Sequence, residues 1–168
     1  MFLLDTEVVW ELRRARTRSG DSAVAEWAAT QSRAPMFISA LALIELGQAA
    51  AMAERRDKGA GAALRRWIDG PVAAAFDGRV LSVDTAVARR GSALAYEILG
   101  DGILAATALE HGLTLATRHP AAFRVGKVRV VNPWRYAPDQ TEQAEDDADW
   151  RQASRTGPFR LRNLFARG

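Results

Sequence analysis

The sequence predicts an α/β fold, with helices in two layers around a central, mainly parallel sheet. Two observations lead there. Short apolar runs of strand length recur at residues 2–4, 36–38, 79–83, 113–117 and 128–131. Between them lie Ala- and Leu-rich stretches with helical spacing. Strands that alternate with helices indicate a parallel sheet covered on both faces. An apolar run such as Phe2-Leu3-Leu4 suits a strand buried on both sides.

Composition narrows the class. The chain has 168 residues and no internal repeat, which favours one domain. Nearly half of the residues are apolar, enough for a real core. There is no cysteine, so disulfides and thiolate metal sites are excluded. The opening apolar run is broken by Asp5 and Glu7 and carries no basic flank, so it does not read as a secretion signal. No stretch is long enough to span a membrane. The expectation is a cytoplasmic protein with no membrane partner. Of the 23 basic residues only Lys58 and Lys127 are lysines. Arginine-dominated basicity suits phosphate or carboxylate partners, although an ordinary solvated surface would look the same.

In chain order, the first strand ends at Asp5-Thr6, and Val8, Val9 and Leu12 give helical spacing after it. Arginines 13, 14, 16 and 18 follow, then a Ser19–Asp21 loop and a short helix with Val24 and Trp27. Ser39 is placed to cap a helix over residues 40–56, with Leu41, Ile44, Leu46 and Ala49 on its apolar side. Glu45 sits one turn into that helix among apolar neighbours, where some burial is expected, and a buried carboxylate needs a partner or a metal. A further helix covers 60–77, and Pro71 breaks or kinks it. Asp84 caps a helix over 85–97. Gly100-Asp101-Gly102 then opens an Ala/Leu helix that stops at His111-Gly112. Asp101 therefore lies at or near a helix N-terminus. Its simplest reading there is a cap.

Function rests on three acids. Ligands of such sheets bind beyond the carboxyl ends of the strands, at the switch point. Asp5 ends one strand, Glu45 follows a second closely, and Asp101 opens the helix that feeds a fourth, so the three can converge on one cleft. Clustered carboxylates repel unless something neutralises them. With His111 and His119 as the only histidines, zinc is poorly supplied, whereas oxygen ligands suit Mg²⁺ or Mn²⁺ and phosphodiester chemistry. Gly100-x-Gly102-x-x-Ala105 also matches the dinucleotide-binding glycine pattern. A helix precedes it, no acid follows at the right distance, and Asp101 would repel a pyrophosphate, so that match is set aside. A phosphotransfer domain built on Asp5 lacks a second strand-end acid and a suitably placed lysine.

Leu3-Leu4-Asp5-Thr6-Glu7-Val8-Val9, Phe37-Ile38-Ser39-Ala40 with Glu45-Leu46, and Asp101-Gly102-Ile103-Leu104-Ala105-Ala106-Thr107-Ala108 together resemble the signatures of PIN domains. Leu113-Thr114-Leu115-Ala116-Thr117-Arg118 and Val131-Asn132-Pro133-Trp134 complete the set. The likeness is to the VapC-type toxins of toxin–antitoxin pairs and spans residues 1–135. It implies a three-layer α/β/α fold and a metal-dependent endoribonuclease that cleaves RNA. It also implies a cognate antitoxin, a homodimer, and operator DNA reached only through the antitoxin. By the same resemblance Asp5, Glu45 and Asp101 are catalytic ligands for Mg²⁺ or Mn²⁺, and Thr6 is a site-lining hydroxyl.

Three positions depart from the pattern. Glu7 stands where asparagine is usual. His119 and Ala122 stand where the family carries amide or acid residues after Thr-Arg. The fourth acidic position is thus altered, which leaves a second metal open and makes His119 either an additional cleft residue or a surface histidine. It also keeps alive a non-catalytic subunit that acts through an antitoxin–operator complex. Residues 136–168 lie outside the resemblance. Six acids without a base occupy 136–150 and five arginines without an acid occupy 151–168, which reads as a charged, flexible extension.

Overall fold

The computed structural model describes residues 1–15, 20–31 and 35–137. Arg16, Arg18 and the first residue of the expected loop, Ser19, lie outside the described residues, as does nearly all of the C-terminal extension, 138–168.

Five strands form one sheet in the order β3-β2-β1-β4-β5, with every neighbouring pair parallel. They are β1 (Phe2–Leu4), β2 (Met36–Ser39), β3 (Val80–Leu81), β4 (Thr114–Ala116) and β5 (Val130–Val131). The chain runs outward from β1 through β2 to β3, then returns to the other side of β1 for β4 and β5. The switch point therefore lies between β1 and β4. Leu4 pairs with Ala116, and the Asp5 N–H donates to the Ala116 carbonyl at 3.0 Å. The residues just past both strands, Asp5 and Thr117, are thus neighbours.

Period-two alternation splits the core into two layers. Leu4 and Ala116 face one side, packed with Val8, Leu12, Trp27, Leu46 and Phe76. Leu3 and Leu115 face the other, packed with Leu104, Ala105, Ala108 and Phe123. Helices α1 (Thr6–Ala15), α2 (Ser22–Thr30) and α3 (Ala40–Arg56) serve the first side, and α7 (Leu99–Glu110) the second. The predicted three-layer architecture is the one observed. No helix among the described residues is long and apolar enough to cross a membrane.

Local chemistry sets the element ends. Ser39 caps α3 by accepting from Leu41 N–H at 3.2 Å, and Asp84 caps α6 (Thr85–Ala93) by accepting from Val87 N–H at 2.9 Å. Both caps fall where the sequence placed them. Gly112, at φ +63°, ends α7 in the left-handed region where glycine carries no steric penalty.

Other boundaries differ from expectation. The helix expected at 60–77 starts earlier, at α4 (Lys58–Trp67), because Asp57 accepts from Gly59 and Ala60 N–H groups. Pro71 then forces a wide π-turn over Ile68–Val72 before the short α5 (Ala73–Ala75). Proline supplies no N–H and its ring crowds the carbonyl four residues back. Helix α3 buries Ala42, Leu46 and Ala50, whereas Ile44 is exposed, so its buried stripe is turned from the predicted one. Helix α6 ends at Ala93, four residues short of the expected 97. Tyr136 packs on the first core layer, so that layer includes the first residue of the expected extension.

Candidate active site

Asp5 follows β1 directly and precedes α1. Strand β1 is central, so burial pushes its carboxyl above the ordinary carboxylate range, and the charges of Glu7 and Glu45 push it further. A hydrogen bond from Thr117 works against that rise: its hydroxyl, wholly buried at the end of β4, donates to Asp5 Oδ2 at 2.7 Å. The same Thr117 oxygen accepts the His119 N–H at 3.2 Å. One hydroxyl thus fixes both the acid at the switch point and the loop beyond β4.

Thr6 is the buried first residue of α1, and its hydroxyl donates to Glu45 Oε2. Glu45 belongs to the exposed face of α3 rather than being buried as expected. Its location is nonetheless defined, because a Cβ placed on Gly100 would lie 3.8 Å from Glu45 Oε1. The Glu45 carboxylate therefore sits against the first turn of α7.

Asp101 is the third residue of α7, which begins at Leu99 with Ile98 in the capping position and no side-chain cap. The simplest expectation, that Asp101 caps its helix, does not hold. Its carboxylate makes no hydrogen bond or ion pair with any described residue. It lies close enough to Tyr96 to help burial raise the phenol, whose oxygen accepts the Gly126 N–H at 3.2 Å.

Asp5 and Asp101 line one open cleft of about 890 Å³ beyond the carboxyl ends of the strands. His119 and Asn132 line it as well, and Arg118, Arg124 and Arg135 make its lining basic. Neither Asp5 nor Asp101 is ion-paired to a described cation. His119 Nε2 instead lies 3.3 Å from Glu7 Oε2, with both side chains at least half exposed.

Among the described residues, no three acidic or histidine side chains are drawn together closely enough to enclose a metal by themselves. The donor set is still of the right kind for Mg²⁺ or Mn²⁺. It is all oxygen, and among the described residues no cation is ion-paired with Asp5 or Asp101. Mg²⁺ is commonly held by one or two carboxylates and keeps several waters. The sequence reading missed Thr117. Its signal was the register: two neighbouring strands ending together, one on an acid and the other on a hydroxyl.

Comparisons with known proteins agree with this architecture. The family model for the PIN domain matches residues 2–128. The VapC ribonuclease Y4jK of Sinorhizobium fredii is 33% identical over 144 residues, covering 80% of this chain and 98% of that protein. The toxin FitB of Neisseria gonorrhoeae is 32% identical over 142 residues, covering 80% and 99%. The crystal structure of FitAcB from the same organism superimposes with a TM-score of 0.72 at 31% identity, over 80% of this chain and 99% of that one. By the extent of these matches, and by a parallel α/β/α fold of the same kind, the chain belongs to the PIN domain family.

Proposed function

We propose that this chain is the ribonuclease toxin of a toxin–antitoxin pair, with a Mg²⁺- or Mn²⁺-dependent site formed by Asp5, Glu45 and Asp101. The observation that carries this reading is that Asp5 and Asp101, neither ion-paired among the described residues, line one cleft together with Arg118, Arg124 and Arg135. The acids suit a cation, and the arginines suit the phosphates of a nucleic acid. The names of the relatives, a VapC ribonuclease and a toxin, support the same class.

The chain's own residues divide the work. Thr117 holds Asp5 in one orientation and favours its ionised form. Thr6 holds Glu45 toward the α7 end of the site. Asp101 projects from the first turn of α7, where the helix dipole stabilises its charge. Arg118, Arg124 and Arg135 engage backbone phosphates on either side of the scissile bond. A bound Mg²⁺ or Mn²⁺ would supply an acidified water and offset charge developing on the phosphate.

A partner protein follows from the same reading. The neighbours solved as FitAB, one bound to a DNA fragment, support a cognate antitoxin and DNA reached through it. A homodimer and a cytoplasmic setting complete the proposal. The domain is proposed to span residues 1–135, with 136–168 as an appendage.

Asp101→Asn tests the site. Asp101 makes no hydrogen bond with any described residue, so the variant should keep its stability within about 0.5 kcal/mol, as substitutions away from structural contacts do. RNA cleavage in Mg²⁺ or Mn²⁺ should be lost, and chelation of the wild type should match that loss. Cleavage at the wild-type rate by a nuclease-free preparation of the variant would sink the assignment. A wild type that binds antitoxin and operator but never cleaves RNA would favour the non-catalytic subunit.

A further inference from the structure

Beside the cleft lies a second, smaller notch of about 330 Å³, lined by Glu7, Trp10, Glu11, Arg14, Arg118 and Trp134. Arg118 belongs to both walls. Its guanidinium carbon lies 5.4 Å from the centre of the Trp134 ring. Asn132 fixes that arrangement from below: its Nδ2 donates to the Arg118 carbonyl at 3.2 Å and its Oδ1 accepts the Trp134 N–H at 3.0 Å. The other charges of the notch have partners. Glu11 is ion-paired with Arg14 at 3.5 Å and accepts the Asp21 N–H at 2.7 Å, and Glu7 faces His119. Arg118 is exposed and has no carboxylate partner among the described residues. What the notch offers a ligand is therefore a guanidinium set over an indole, with a positive charge that no described carboxylate pairs.

We propose that this notch binds one base of single-stranded RNA, stacked on the Arg118–Trp134 wall, while Arg118 also faces the phosphate in the neighbouring cleft. The inference rests on the ribonuclease reading and specifies its substrate class. A flat, delocalised cation over an indole selects a flat π-system, and every base presents one. A base inside a duplex is already stacked on its neighbours and cannot turn its face to the wall, so the notch selects unpaired RNA. The mixed charge of the remaining lining disfavours a second phosphate there and accepts the uncharged base instead. Arg118 is thus a positioning residue: it sets which phosphate of a strand lies over Asp5 and Asp101.

The test is binding of the full chain, in EDTA, to three fluorescein-labelled probes with RNA integrity checked on a gel. The probes are an RNA octanucleotide, its duplex, and a fully abasic strand of equal length and backbone charge. The wild type should bind the base-bearing single strand at least about tenfold more tightly than either other probe, the scale expected for base–aromatic stacking. Arg118→Ala should weaken all binding, as loss of a phosphate contact does, and should also bring the ratio of base-bearing to abasic affinity close to one. Trp134→Phe, which keeps a ring in the core, should leave a reduced but measurable ratio. Equal wild-type affinity for the abasic strand or the duplex would overturn the proposal. So would an unchanged ratio in Arg118→Ala, which would assign the wall to a protein partner or to packing alone. Cleavage of the same octanucleotide in Mg²⁺ is scored separately. A chain that shows the ratio but never cuts RNA retains the notch and loses the nuclease reading, and the reverse result does the opposite.

Discussion

Replacing Thr117 by valine removes a single oxygen from the centre of the site and nearly nothing else. The side chain is wholly buried, and valine has almost its shape, so the cavity left behind is negligible. What is lost is the 2.7 Å hydrogen bond to Asp5 Oδ2 and the acceptor for the His119 N–H. A hydrogen bond to a charged group contributes about 1.5–3 kcal/mol. The His119 end is exposed, so water can replace that partner. The expected loss is about 2 kcal/mol, or roughly 4–8 °C in melting temperature for a chain of this size. The bond is to the ionised carboxylate, so the effect depends on pH. Without it the folded Asp5 carboxyl, already raised by burial, rises further. The penalty should be full above the folded-state value and should shrink as pH falls through it, where both proteins carry a protonated Asp5. Thermal unfolding in EDTA across a pH series measures this for wild type, Thr117→Val and Thr117→Ser, and serine should recover most of the loss. A valine variant that melts within about 1 °C of wild type at neutral pH would refute the reasoning. A penalty of equal size in acid would show that the hydroxyl acts through packing rather than through the carboxylate.

Asp5→Asn should raise the melting temperature of the metal-free protein at neutral pH, by about 2–4 °C if the relief is about 1 kcal/mol. The ionised Asp5 is costly in the fold through burial and through Glu7 and Glu45. With the folded value above the unfolded one, wild-type stability should climb as pH falls through the folded value, and the advantage of the variant should vanish there. A melting curve that drops at neutral pH would count against that account. Gly61→Ala should destabilise by about 1–3 kcal/mol or more, although alanine is the better helix former. A Cβ there would lie 2.4 Å from Glu54 Cβ and 2.5 Å from Glu54 Cα, where α4 crosses α3, and a denaturant midpoint equal to wild type would show that the helices can part.

The sheet was legible because its strands carry apolar runs between capped helices, and Ser39 and Asp84 mark two helix starts without ambiguity. Lengths were less legible. The run 79–83 yields only Val80–Leu81 as strand, because pairing needs a neighbour and β3 is an edge. The buried stripe of α3 differs from the expected one because small alanines at positions 42 and 50, not the larger Ile44, are buried beside Leu46. Asp101 looked like a cap because glycines flank it. The helix instead starts at Leu99 and leaves the carboxylate without a structural task. Thr117 was invisible for the opposite reason. A threonine at a strand end is ordinary, and only the β1–β4 register turns it into the partner of Asp5.

Two of the three departures from the family pattern are not independent in space. Glu7, the second residue of α1, and His119, in the loop beyond β4, meet at 3.3 Å across the rim of the cleft. Both are at least half exposed, and pairs of that kind add at most about 1 kcal/mol. Stability is therefore a weak reason for the pair. Electrostatics at Asp5 give a stronger one. Glu7 adds to the repulsion that raises the Asp5 carboxyl, so an acid at that position would load the switch point with charge if nothing answered it. Among the described residues His119 meets Glu7, and neither Asp5 nor Asp101, as an ion-pair partner. An acid in place of His119 would instead have put a further carboxylate on the same rim. The two altered positions thus face each other, while Asp5, held by Thr117, and Asp101 have no ion-pair partner among the described residues and remain open to the cation of the proposed function.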